Sequence, residues 1–103
     1  MALELTDNNF KSEVLDAKTP VIVDFWAPWC RPCQMLGPTI EELAHELEGT
    51  VKVGKVNVDN SEEVAGRYGI STIPTVMLFK NGVAVKKVVG LMRKEDLLRN
   101  LGL

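Results

Sequence analysis

Apolar positions along the chain recur with two spacings, which predict alternating strands and helices. Pro20 opens the run 21–26, which is rich in β-branched and aromatic residues and predicts a central strand covered on both faces. In the next segment, apolar side chains return at helical spacing, which predicts a long helix ending at Gly49. Pro38 lies inside this helix and should kink it. The apolar stripe of the helix consists of Leu36, Ile40, Leu43, Ala44 and Leu47.

The second half of the chain predicts three more strands and two helices. Residues 51–58 are predicted to form a second strand, and a strand, a helix and a strand in succession make a βαβ unit with parallel strands. Asn60 or Ser61 is positioned to cap a short helix that stops at Gly69. The pair Asn81–Gly82 separates the runs 75–80 and 83–89 and predicts an antiparallel hairpin with a type I′ turn.

Two terminal helices complete the predicted α/β fold. Thr6 or Asp7 can cap a first helix whose inner face carries Phe10, Val14 and Leu15, and a last helix carries Leu97, Leu98 and Leu101. The elements together predict a central mixed β-sheet with a parallel βαβ unit, a C-terminal antiparallel hairpin and helices on both faces. At 103 residues, the whole range 1–103 is expected to be a single domain.

The charge balance and the hydropathy of the chain narrow the function classes. Twelve basic residues against 14 acidic ones give a net charge of −2, which argues against an obligate nucleic-acid binder. No apolar run approaches the ~18 residues that a membrane span needs, so we expect no membrane partner. The first ten residues do not resemble a secretory signal, and we therefore expect a cytoplasmic location.

The cysteine count is the first chemical indication. Cys30 and Cys33 are the two cysteines of the chain, and His45 is its single histidine. A disulfide scaffold needs several bridges that close long loops, and a structural zinc site needs four ligands. One Cys-x-x-Cys pair fits neither of these, so it points to redox chemistry; we expect no metal site.

The cysteine pair lies where the predicted strand passes into the predicted long helix. Cys30 is therefore expected at the N-terminus of the helix, where unpaired N–H groups and the positive end of the helix dipole favour a thiolate. Pro32 suits the first turn, because its missing N–H would have had no partner there. Cys33 lies about one turn further on, within reach of a disulfide. We expect Cys30 to be the exposed attacking thiol and Cys33 the more buried resolving thiol.

The segment around the cysteines resembles the active site of the thioredoxin family. It reads Trp-Ala-Pro-Trp-Cys-Arg-Pro-Cys over residues 26–33. The resemblance covers almost the whole chain, because further residues also match the family pattern: Asp24, Pro38, Lys55, Asp59, Ile73, Pro74, Thr75, Lys80, Asn81, Gly82 and Gly90.

This resemblance implies a thioredoxin fold and a protein disulfide reductase that acts on disulfide-containing target proteins. Cys30 would attack the substrate disulfide and Cys33 would resolve the mixed disulfide. The family is usually re-reduced by thioredoxin reductase, a flavoprotein that draws on NADPH, and the chain itself would bind no cofactor. We expect the protein to work as a monomer in the cytosol.

The resemblance also assigns roles outside the cysteine pair. Asp24 would be the base for Cys33, since a carboxylate in a covered strand should have a raised pKa, and Lys55 on the neighbouring strand would tune it. The alternative is that Asp24 is a solvated residue near the end of the strand. A cis Ile73–Pro74 bond is implied by the family alone, because X–Pro bonds are usually trans. Substrate docking is assigned to Trp29, Ile73, Pro74 and Gly90, with Val58 and Val89 as further candidates. Apart from Pro74, each of these could instead be a core residue, and for Val58 the two alternatives are evenly balanced.

Arg31 departs from the family, which usually has glycine after the first cysteine. A cation beside Cys30 should stabilise its thiolate and make the protein slightly less reducing, unless the side chain points to water and is screened. Leu91 stands where alanine is common, which bears on substrate range. Three alternatives to a reductase remain open: a non-catalytic binding module, a metal site bridging two copies, and an oxidant or isomerase, against which Pro32 argues.

Overall fold

The chain forms five strands and four helices, and the computed structural model describes all 103 residues. The strands are β1 (Leu3–Leu5), β2 (Val21–Trp26), β3 (Lys52–Asn57), β4 (Thr75–Lys80) and β5 (Val83–Val89). The α-helices are α1 (Arg31–Glu46), α2 (Glu62–Arg67) and α3 (Lys94–Leu101), and a five-residue π-helix spans Lys11–Leu15. No helix combines the length and the apolar composition that crossing a bilayer would require.

The strands form one mixed sheet in the order β1-β3-β2-β4-β5. Strand β3 runs parallel to β1 and β2, whereas β4 runs antiparallel to β2 and β5. The predicted βαβ unit and the predicted C-terminal hairpin are therefore both confirmed. Strand β1 was not predicted, because three residues are too few to show a period. It pairs with the outer edge of β3, starting from Leu3 opposite Gly54.

The β4–β5 turn has the predicted geometry. Asn81 and Gly82 both have left-handed backbone angles, with φ of 53° and 78°, as a type I′ turn requires. A Cβ atom on Gly82 would lie 2.8 Å from the carbonyl oxygen of Leu15, so the turn also packs closely against the end of the π-helix. Glycine is therefore needed at this position for two separate reasons.

Two apolar layers cover the two faces of the sheet. We call the face under α1 and α3 the α1 side; its buried residues include Ile22, Leu36, Ile40, Leu43, Val76, Leu97 and Leu101. We call the face under the π-helix and α2 the aromatic side; its buried residues include Phe10, Val14, Val21, Val23, Phe25, Val64 and Phe79. Val21 and Val23 lie in one layer and Ile22 in the other, which confirms that β2 is covered on both faces. Helix α1 continues through Pro38 without interruption.

The start of α2 differs from the sequence-based prediction. Ser61 occupies the N-cap position but makes no capping bond with its side chain. The carboxylate of Asp7 accepts the hydrogen bonds instead, from the backbone amides of Glu63 at 3.3 Å and Val64 at 2.9 Å. The cap comes from a residue more than fifty positions away, so it joins the segment after β1 to α2. The predicted cap of the first helix by Thr6 or Asp7 is wrong, because the helix begins at Lys11, and its N-cap residue, Phe10, makes no capping bond with its side chain. The Thr6 hydroxyl accepts from the amide of Asn9 at 3.3 Å in the turn that precedes this helix.

Candidate active site

The cysteine pair lies between the end of β2 and the start of α1. Cys30 is the N-cap residue of α1, with an extended backbone, and Pro32 lies in the first turn of the helix. Cys30 and Cys33 are joined by a disulfide, and their Cα atoms are 5.2 Å apart. The predicted placement of both cysteines at the helix N-terminus is confirmed.

The helix N-terminus points a backbone donor at the first sulfur. The N–H of Cys33 donates to Sγ of Cys30 over 3.2 Å. This amide is one of the four that an α-helix leaves without an internal partner, and it carries the positive end of the helix dipole. When the disulfide is reduced, the same amide is placed to stabilise a negative charge on Cys30 Sγ.

Both cysteines are more covered than the sequence predicted. Cys30 is 5% exposed and Cys33 is 2% exposed, so the expectation of an exposed Cys30 is wrong for the disulfide form, although Cys33 is the more buried of the two. Ala27 is buried with the pair, and three half-buried side chains cover it: Trp26, Val58 and Ile73. The small exposed part of the disulfide therefore belongs mainly to Cys30.

The Ile73–Pro74 segment lies directly against the disulfide. The Ile73–Pro74 peptide bond is cis, as the family resemblance implied. The carbonyl oxygen of Ile73 is 3.8 Å from Cys30 Sγ. The carbonyl of Pro74 accepts from the amide of Gly90 at 2.9 Å, which brings Gly90 to the same area. Gly90 has a φ of 104°, and a Cβ atom added there would have no atom within 4 Å, so the positive φ rather than crowding explains the glycine.

Trp29 forms the most exposed apolar surface beside the disulfide. Its side chain is 70% exposed, yet its indole N–H donates to Oδ2 of Asp59 over 2.9 Å. The amide of Asp59 in turn donates to the side-chain oxygen of Asn57 at the end of β3. The ring is therefore held in place at the surface. Two further docking candidates differ in burial, since Val58 is half-buried and Val89 is 49% exposed.

Asp24 is buried, which excludes the solvated alternative. It is 1% exposed, and its Oδ1 atom has no hydrogen-bond partner. It lies opposite Lys55 on β3 and opposite Val76 on β4, two residues from Ile22 and hence on the α1 side of the sheet. Burial raises the pKa of Asp24 from 3.8 to about 7, and the positive charge of Lys55 acts in the opposite direction.

Lys55 faces Asp24 but is engaged elsewhere. Its Nζ atom lies 4.9 Å from the centre of the Trp26 ring, a cation–π distance, and 3.7 Å from Oε2 of Glu41. No sequence pattern pointed to Glu41, because its proximity to Lys55 depends on how α1 crosses β3.

Arg31 is the first residue of α1, and its side chain is exposed. It forms no ion pair. The structure therefore brings the cysteine pair, Ile73, Pro74, Gly90 and Trp29 together at one end of the sheet, places Arg31 and Pro32 on the outside of the helix start, and buries Asp24 under α1. No cluster of three or more His, Cys, Asp or Glu side chains is arranged to hold a metal ion.

A disulfide between the N-cap and the first turn of a helix, next to a cis-proline, on a mixed five-stranded sheet, defines the class of thiol–disulfide oxidoreductases. The family model described as thioredoxin matches residues 1–102. The chain is similar to thioredoxin 1 of Nostoc sp., with 52% identity over 100 residues, covering 97% of this chain and 94% of that protein. It is similar to the thioredoxins of Rickettsia bellii, with 53% identity over 98 residues (95% and 93% coverage), and of Rickettsia felis, with 52% over 98 residues (95% and 93%).

This chain belongs to the thioredoxin family. Members of the family are thiol–disulfide oxidoreductases that exchange electrons with a reductase and with disulfide-containing proteins, and the redox centre of this chain is its own Cys30–Cys33 disulfide. The family resemblance and the fold predicted from the sequence are both confirmed.

Proposed function

We propose that the protein is a protein disulfide reductase in which Cys30 is the attacking thiol and Cys33 the resolving thiol. The observation that carries this assignment is the hydrogen bond from the Cys33 amide to Cys30 Sγ at the helix N-terminus. It favours a thiolate on Cys30 in preference to Cys33, because this backbone amide donates to the Cys30 sulfur and Cys33 is the more buried of the two.

The reaction consists of two thiol–disulfide exchanges. The Cys30 thiolate attacks one sulfur of a target disulfide, which forms a mixed disulfide and releases the other target sulfur as a thiolate. Cys33 then loses its proton and attacks Cys30 Sγ. This step forms the Cys30–Cys33 disulfide and releases the second target sulfur, so that two electrons have passed from the protein to its target.

Asp24 is the proton acceptor for Cys33 in this proposal. A buried thiol resists ionisation, so the second exchange needs a base. A carboxyl whose pKa lies at about 7 is half ionised at neutral pH, which suits reversible proton transfer. Lys55 tunes this group through its charge.

Target proteins dock on the surface around Cys30. Trp29 offers an anchored and exposed ring, and Ile73, Pro74 and Gly90 form a backbone edge beside Cys30 Sγ. An extended target segment can pair with such an edge, and the small Gly90 leaves room for its main chain.

The proposal includes the setting in which the protein works. It acts as a monomeric single domain in the cytoplasm, binds no cofactor or metal, and has no nucleic-acid or membrane partner. Thioredoxin reductase returns it to the dithiol form, and disulfide-containing proteins are its electron acceptors. The chemistry of the cysteine pair is what supports these two partners, since both exchange electrons with a disulfide.

The test of the assignment separates the two cysteines. Incubated with oxidised insulin, the Cys33→Ser variant should accumulate a mixed disulfide through Cys30, because the resolving step is lost. The Cys30→Ser variant should trap none and should reduce no insulin when NADPH and thioredoxin reductase are supplied. Trapping by Cys30→Ser in place of Cys33→Ser would reverse the assigned roles.

The direction of electron flow is tested by the reduction potential of the pair against glutathione. A value below about −250 mV is expected for a cytosolic reductant. A value near or above about −200 mV would instead indicate an oxidising or isomerising protein.

A further inference from the structure

Lys55 carries the charge nearest to Asp24 in the sheet register, yet the two residues form no ion pair. Asp24 Oδ1 lacks any hydrogen-bond partner, while Lys55 Nζ contacts Glu41 and the Trp26 ring. A lysine opposite a buried carboxylate would ordinarily turn towards it, since pairing lowers the cost of burial. Something must therefore hold the ammonium group in its observed position.

Glu41 is fixed at the place where it can do this. It lies on α1, and its Oε1 atom accepts a hydrogen bond from the backbone amide of Ala2 at 2.8 Å. Its Oε2 atom is 3.7 Å from Lys55 Nζ. The carboxylate thus bridges the chain just before β1 and the lysine of β3, and the amide contact restrains it even though its side chain is 40% exposed.

We propose that Glu41 is a positioning residue for the proton transfer, which holds the Lys55 ammonium group over Trp26 and away from Asp24. This inference rests on the proposed function only in so far as Asp24 is taken as the base. It does not make Glu41 a catalytic residue, because Glu41 acts through Lys55.

The charge of Glu41 acts on the pKa of Asp24 in two ways, and both raise it. With Glu41 ionised, the positive charge of Lys55 is partly offset, and the lysine is held towards α1. If Glu41 is neutral, Lys55 is freed to approach Asp24 and its charge is no longer offset. Both changes favour the ionised form of Asp24, so the pKa of Asp24 should fall when Glu41 loses its charge.

Few other groups on the packed elements can contribute to this effect. Strand β4 faces Asp24 with Val76, which carries no charge. Strand β3 contributes Lys55. Helix α1 contributes Glu41 and the buried Cys33, which titrates only when the disulfide is reduced. The remaining charged or titratable residues of α1 lie away from the buried core, namely Arg31, Glu42, His45 and Glu46.

The test is an NMR titration of the Asp24 carboxyl carbon in the oxidised full-length chain, in which neither cysteine titrates. The Glu41→Gln variant keeps an oxygen that can accept from the Ala2 amide and removes only the charge. We expect the Asp24 midpoint to fall by about 0.5 pH unit. The matched control is Glu42→Gln, at the next position of α1, where the carboxylate forms an ion pair with Lys94 on α3. In this control variant, the titration midpoint of Asp24 should stay unchanged. An unchanged Asp24 midpoint in Glu41→Gln overturns the proposal.

A second titration shows whether Glu41 acts through Lys55. In a Lys55→Met background, adding Glu41→Gln should move the Asp24 midpoint by less than half of its shift in the parent chain. An equal shift in both backgrounds means that Glu41 acts directly and overturns the positioning role.

The rate of mixed-disulfide resolution separates this inference from the proposed function. The pH profile of resolution in Glu41→Gln should move down by the same amount as the Asp24 midpoint. A midpoint that moves while the rate profile stays in place upholds the control of Asp24 by Glu41 and removes Asp24 as the base.

Discussion

The two sides of the sheet differ in what they bury. On the aromatic side, the rings of Phe10, Tyr68 and Phe79 lie 5.2–5.7 Å apart, and two of the three contacts are edge-to-face. On the α1 side, the apolar layer includes the carboxyl of Asp24, with one oxygen unpaired. The first arrangement stabilises the fold, whereas the second lowers stability at neutral pH, where the buried carboxyl of Asp24 ionises. The two faces of one sheet thus differ in the buried polar group that only the α1 side contains.

The largest effect on the free energy of unfolding is expected when a ring is removed from the aromatic side. Phe79→Ala should lower the free energy of unfolding by about 3–5 kcal/mol, because it leaves a cavity beside two other rings. The reduction potential of the molecules that remain folded should not change. Urea unfolding and equilibration with glutathione measure the two quantities. A potential that moved with stability would show that the two sides are not independent.

Asp24→Asn should raise the free energy of unfolding, and it should do so only at higher pH. The pKa of Asp24 is raised in the folded protein, so the folded state holds the proton more tightly and stability falls as pH rises from about 4 to about 7. The full loss is roughly 4 kcal/mol for a shift of about three units. Asn abolishes this loss, so the variant should be more stable than the parent at pH 8 by several kcal/mol and equally stable below pH 4. Urea unfolding of the oxidised chains at several pH values checks this. A gain that is the same at every pH would contradict the titration of Asp24 as its cause.

The cap of α2, on the aromatic side, contributes a smaller amount to the free energy of unfolding. Asp7→Ala removes the acceptor for the amides of Glu63 and Val64 and should lower the free energy of unfolding by about 1 kcal/mol. The neighbouring exposed residue provides the control, since Asn8→Ala removes no such bond. Similar losses of unfolding free energy in the two variants would mean that the two capping bonds do not stabilise the protein. Mixed-disulfide resolution should be unaffected in both.

The smallest effect is expected at the surface of the active site. Arg31→Gly should lower the reduction potential by no more than about 20 mV, equivalent to about 1 kcal/mol, because the exposed guanidinium is screened by solvent. Arg31→Lys should leave the potential unchanged, and the effect of Arg31→Gly should shrink when salt is added. A shift in Arg31→Gly that persists at high salt would point to backbone changes at the start of α1.

Much of the fold could be predicted because its signals are local. The composition of 21–26 predicted β2 with the observed bounds, and Asn81–Gly82 predicted the turn between β4 and β5. Two local details could not be obtained in this way. A three-residue strand such as β1 shows no period, and a π-helix over 11–15 has nearly the same apolar spacing as the predicted α-helix.

The active site could be predicted only in part, because its contacts are of two kinds. The cysteine pair and its place at a helix start follow from neighbouring residues. The contact of Ile73 with Cys30, the bond from Trp29 to Asp59 and the pair of Glu41 with Lys55 join residues far apart in sequence. Family resemblance pointed to some of these residues, but no pattern in the chain indicated that Glu41 would meet Lys55.

The separation of 43 residues between Cys30 and Ile73 has a consequence for biosynthesis. A ribosome that adds about 5–20 residues per second needs about 2–9 s to make the intervening chain. Throughout this interval, the nascent polypeptide carries both thiols without the segment that later covers them, and β4 has not yet closed over Asp24. Until its own hairpin is complete, each new molecule therefore exposes its two thiols more widely than the folded protein does.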